Sequence, residues 1–212
     1  MVEIADIENK KALHAWLLKQ GYSKESQFDA IAKLSVRCSL RSMPICWLHF
    51  QQFENHNAQH FEVSILRAAL SASVAEHFRD EETKNAAGMA SNDIDRYMNA
   101  DTAWFVRHSA ISVGAAALIF PAVGQEAQTT NALSAIEASS HCFKDYPVRE
   151  VVELFWRELQ LDCMRLLEQS DFSQDRLWRA DARVQNYPET LECKEISSAR
   201  FSRSNCSDFW LS

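Results

Sequence analysis

Three histidines, His49, His56 and His60, are the side chains whose type and spacing come nearest to a metal site. They are offset by seven and eleven residues. On an unbroken helix those offsets place all three within about 40° on one face, with Phe53 between them. Three imidazoles so arranged could hold zinc and leave a fourth position for water, with Glu54 or Asp162 as the nearby carboxylate of a metal-dependent hydrolase. That geometry needs a helix running through Glu54-Asn55-His56-Asn57, a stretch that reads as a turn or a helix junction. The plain alternative is ordinary boundary histidines. Neither an HExxH nor an ExxH pair completes the set.

A second pattern is cationic. Lys33, Arg37 and Arg41 recur every four residues, a stripe opposite the apolar face of their helix. It could grip phosphate, RNA or an acidic protein surface. It could equally be a solvated face, or arginines paired internally with carboxylates. No aromatic residue interleaves with the stripe, so base stacking is not indicated. Asp162 stands on the interior-leaning side of a strongly apolar helix, with Glu158 one turn earlier and Arg165 three residues later. A catalytic carboxylate is conceivable there, but a buried carboxylate needs a partner. Arg37 or Arg41 is the expected one. Asp93, Tyr97 and Asp101 share a further acidic face, which needs no metal to explain it. Glycine-rich phosphate loops, nucleophile elbows, dinucleotide fingerprints and kinase signatures are all missing. No motif calls for a cofactor.

The elements that must position these groups read as helices. Glycine and proline number four each in 212 residues, too few for the many turns of an all-β fold. Ala12, Leu13, Trp16 and Leu17 make a helical face ended by Gly21. Ser23 caps the next helix, whose apolar side runs from Phe28 through Leu40 to Met43, where Pro44 should stop it. Phe61, Ile65, Ala69, Ala72 and Ala75 form a narrow face of mostly small residues suited to close packing. Asp80 caps a long segment whose apolar positions include Met89, Ile94, Tyr97, Met98, Trp104 and Ile111, with a break expected near Ala100-Asp101. Ser109 to Gln125 reads as a helix buried on most sides, too short and alanine-rich for a membrane span. Ala127 to Phe143 is helical, and Val148, Val151, Val152, Phe155, Leu159, Cys163 and Leu166 make the clearest amphipathic face. The expectation is an all-α fold, a compact multi-helix bundle or stacked helical hairpins of about eight helices. One domain is expected over residues 1–196, with a weakly ordered segment over 197–212.

Ala32 to Ile45, containing Arg37, Leu40, Arg41 and Pro44, resembles an A-x-R-x-A-L-R-x-x-P signature. Trp156 to Cys163, followed by Leu177-Trp178, is similar to a W-x-x-x-x-x-D … L-W segment. Both occur in a set of uncharacterised, alanine-rich helical proteins of proteobacteria. The resemblance covers about half the chain and implies a helical fold and a bacterial source, with no activity to carry over. The middle of this chain is less alanine-rich than that pattern, and the chain stops at Phe209-Trp210-Leu211-Ser212, where those proteins continue with further aromatic residues.

A net charge of −7 argues against broad nucleic-acid binding. The six cysteines lack CxxC spacing, and several sit among apolar neighbours, as in Pro44-Ile45-Cys46-Trp47, which is expected of free thiols in a cytoplasmic protein. The acidic N-terminus is unlike a signal peptide. Six tryptophans and twelve phenylalanines in a chain without catalytic motifs point to a non-catalytic interaction protein, an adaptor, scaffold or oligomer-forming subunit. Its partner would be another protein or a second copy. Lys33, Arg37, Arg41, Phe209 and Trp210 are the expected contacts. The alternatives are an inhibitor-type binding protein (immunity, antitoxin or antiviral-defence component) and the histidine-based hydrolase.

Overall fold

The computed structural model of the chain describes residues 3–50, 56–75, 80–98, 102–145 and 150–168, without the side chains at 47–50, 56–59, 75 and 150. A 3₁₀ turn at Ile4–Asp6 leads into seven helices: α1 (Lys10–Lys19), α2 (Lys24–Phe50), α3 (His56–Ala75), α4 (Glu81–Tyr97), α5 (Trp104–Ala117), α6 (Gln125–Asp145) and α7 (Glu150–Glu168). No strand occurs among the described residues. The fold is all-α, and its helices pack together as a bundle. The described helices lie within residues 1–177, and the domain boundary expected at 196/197 lies outside the described residues.

Local chemistry sets the helix ends. The Asn9 side chain accepts the Ala12 N–H at 2.9 Å to open α1, and Gly21, at φ +68°, supplies the left-handed turn that closes it. Ser23 Oγ accepts from the Ser26 N–H at 3.1 Å ahead of α2. Asp80 accepts the Thr83 N–H at 2.8 Å, and this cap holds the Asp80 carboxyl below its ordinary pKa.

α5 lies at the centre, packed against α2, α3, α4 and α6. Its burial on most sides matches its alanine- and serine-rich sequence: Val106, Ser109, Ala110, Ser112, Val113, Gly114, Ala116 and Ala117 are all buried. Gly114 lets α4 come close, because a Cβ there would sit 3.2 Å from Ser91 Oγ. Small hydroxyls occupy the seam between helices. Ser112 Oγ lies 2.9 Å from Ser39 Oγ and 2.6 Å from Ser139 Oγ, and it donates to the Ala135 carbonyl at 2.8 Å, tying α2, α5 and α6 together.

One expectation needs correction. α2 does not stop at Met43 but runs through Pro44 to Phe50. Proline has no N–H to give the Leu40 carbonyl, and this cost is met by tertiary contacts on the same turn. Ile45 and Cys46 are buried, the Ser109 hydroxyl donates to the Ser42 carbonyl at 2.7 Å, and the Cys46 thiol points at the Val106 carbonyl at 3.4 Å. The segment after Asp80 divides into α4 and α5 between Tyr97 and Trp104, where a break was expected, and Met89, Trp104 and Ile111 are 68%, 66% and 40% exposed. The buried side of α4 is Ala87, Ala90, Ser91 and Ile94.

Candidate interaction surface

The cationic stripe of α2 turns inward. Arg41 is fully buried and Arg37 nearly so. Asp162 of α7 receives both: its Oδ2 lies 2.6 Å from Arg41 Nη2 and 3.2 Å from Arg37 Nε. Glu158, one turn earlier and also fully buried, brings its Oε2 to 3.9 Å from the same Arg41 nitrogen. Burial opposes the charge on Arg41, but Asp162 foremost, then Cys38 and Glu158, outweigh it and hold the guanidinium above its ordinary pKa. Two arginines and two carboxylates thus form a charge-balanced core between α2 and α7. Such a cluster is sealed from solutes, so Arg37 and Arg41 do not form an outward grip for a partner. Lys33, half-buried, is the member of the stripe that reaches the surface.

The histidines do not come together as a described site. His49 belongs to α2, whereas His56 and His60 belong to α3; residues 51–55 and the side chains of His49 and His56 lie outside the described residues. His60 is exposed and stacks on Tyr97 of α4, ring centroids 5.4 Å apart. No group of three or more His, Cys, Asp or Glu side chains among the described residues is placed to hold a metal ion. Phe209 and Trp210 also fall outside the described residues. Cys38 and Cys46 are buried thiols pushed up to about 12, and burial raises Cys142 and Cys163 well above the ordinary value. None of the four suits a nucleophile.

A cleft of about 630 Å³ opens where α2, α4 and α6 begin, floored by Phe28 and Phe120 and rimmed by Lys24, Lys84, Glu25 and Glu81. Its charges balance, and Lys84 is held by Glu81 at 2.8 Å.

The outer side of α5 is different. Trp104, Arg107, His108 and Ile111 follow helical spacing and share one face. The Arg107 guanidinium carbon sits over the Trp104 ring at 4.9 Å, and the His108 ring lies 5.8 Å from it on the next turn. From α6, His141 approaches His108 with ring centroids 5.3 Å apart, and Asp145 Oδ2 lies 3.1 Å from His108 Nδ1. Burial lowers the His108 pKa; Asp145 partly opposes the shift and His141 adds to it. The Arg107 Nε is shielded from solvent and has no hydrogen-bond acceptor among the described residues. This face therefore combines an exposed indole, a guanidinium braced on it and two imidazoles, all on rigid helices. An apolar row on α3, Val63, Leu70 and Val74, is also exposed.

Sequence reasoning named Trp104 and Ile111 as apolar positions of the segment after Asp80 without assigning them to an exposed face. The signal that could have found this face is the W-x-x-R-H-x-x-I spacing itself, read with a new helix starting at Trp104. No family model, no curated protein and no solved structure matches the chain. The resemblance of residues 32–45 and 156–178 to the alanine-rich proteins thus rests on its motifs alone. No described helix is long and apolar enough to cross a membrane.

Proposed function

We propose that the protein is a non-catalytic helical interaction module of the bacterial cytosol, an adaptor, scaffold or oligomer-forming subunit, which docks through the outer face of α5. One observation carries this reading: Trp104, at the start of α5, is 66% exposed and braced by Arg107 rather than buried. Leaving so large an apolar ring in water forgoes burial free energy, and tryptophan and arginine are the residue types that dominate binding energy at interfaces.

Site-specific photo-crosslinking tests it. A photoreactive phenylalanine analogue at position 104, expressed in the native host, is expected to give one discrete adduct, either with a partner protein or with a second copy. The same analogue at Glu126, an exposed polar position, should give none. A smear common to both positions, or no adduct at 104, would refute docking through this face.

A further inference from the structure

The chemistry of the α5 face also selects a kind of partner, an inference that rests on the docking reading above. The chain carries a net charge of −7, yet this face is locally cationic. Arg107 has no carboxylate partner among the described residues, and its guanidinium carbon lies 4.9 Å from the Trp104 ring centroid. Arg107 is half-buried, so part of its guanidinium stays open to a partner's carboxylate. Lys144 of α6 is exposed one helical turn beyond His141. Among the described residues of α6, Asp145 is engaged with His108 at 3.1 Å. Glu137, a turn before His141, is held by Lys10.

We propose that the face of Trp104, Arg107 and Ile111 receives an acidic, apolar peptide segment of a partner protein. An aspartate or glutamate of that segment meets the Arg107 guanidinium, and an apolar neighbour covers Trp104 and Ile111. Guanidinium and carboxylate match as a planar fork, and the cation–π contact orients the fork before the partner arrives. A nucleic acid fits less well. Base stacking needs an open ring face, whereas Arg107 occupies one face of Trp104 and His108 crowds the ring at 5.8 Å with a 35° tilt.

The test uses the full-length protein with a short synthetic peptide alternating glutamate and leucine, and a control peptide alternating lysine and leucine. Binding is read from the tryptophan indole ¹H–¹⁵N signals, with Trp104→Phe identifying the one that reports the site. The glutamate peptide is expected to move the Trp104 signal. Arg107→Glu should weaken its binding at least about tenfold, while circular dichroism shows the helices intact. Raising the salt should weaken it too, as screening predicts. Equal response to the lysine peptide, insensitivity to Arg107→Glu, or a response only to a single-stranded oligonucleotide would overturn the proposal. The two readings fail separately. A specific crosslink at position 104 to a basic segment sinks the acidic partner and leaves the docking face standing, whereas no crosslink at all sinks both.

Discussion

Replacing Asp162 by alanine removes the one carboxylate that both buried arginines share. Asp162 Oδ2 lies 2.6 Å from Arg41 and 3.2 Å from Arg37, with Arg41 and Asp162 both wholly out of water. Glu158, 3.9 Å from Arg41 Nη2, is too distant to replace it fully. Two guanidinium groups would then stay buried with insufficient counter-charge, a defect that costs about 3–5 kcal/mol. A domain of this size has only about 5–15 kcal/mol to lose. At roughly 2–4 °C per kcal/mol, the melting midpoint of Asp162→Ala should fall by about 6–20 °C. Urea unfolding followed by far-UV circular dichroism measures the loss directly. A double-mutant cycle with Arg41→Met should give a coupling of about 0.5–3 kcal/mol in the attractive sense. If Asp162→Ala costs less than about 1 kcal/mol, the pair behaves as a surface bridge would and the reasoning fails.

Four further outcomes follow from the geometry. Gly114→Val should destabilise by about 1–3 kcal/mol, because overpacking pushes α4 away at Ser91; unchanged stability would show that α4 and α5 can separate freely. Ser112→Ala should cost about 1–3 kcal/mol in urea unfolding, since the Ser39 and Ser139 hydroxyls and the Ala135 carbonyl each lose a partner. Mapped by mass spectrometry after brief alkylation, Cys38, Cys46, Cys142 and Cys163 should stay unmodified in the native protein and react once it is unfolded; native labelling at any of them would contradict their burial. His108 has a folded pKa below its ordinary value, so between the two values the unfolded chain binds more protons. Stability from this group should be complete above the ordinary histidine range and decline as pH falls through it. His108→Gln should flatten that part of the stability–pH curve, and an unchanged slope would assign it elsewhere.

The parts of the fold that were legible are those where burial follows helical spacing without interruption. Val151, Phe155, Leu159 and Cys163 recur every four residues, and all four are buried against the bundle. The Asp162 contact with Arg37 and Arg41 followed from one rule, that a carboxylate on an apolar face needs a cation. Glu158 was seen as its neighbour, but its complete burial was not legible, because four interior charges are tolerable only when they neutralise one another across two helices. Pro44 misled for a related reason: local backbone chemistry predicts a stop, and only the contacts of Ser42, Ile45 and Cys46 with other elements carry the helix through. The docking face was not legible, because apolar positions at Trp104 and Ile111 do not by themselves say which side of α5 its neighbouring helices leave uncovered.

Native mass spectrometry of gently purified protein from its host, with wild type and Trp104→Ala compared side by side, tests the docking claim most directly. A stoichiometric partner, or a homo-oligomer, carried by the wild type and lost in the equally helical variant is the predicted result. A wild-type monomer, a complex indifferent to Trp104→Ala, or a monomer carrying zinc would contradict the account and turn attention to the histidines of α2 and α3.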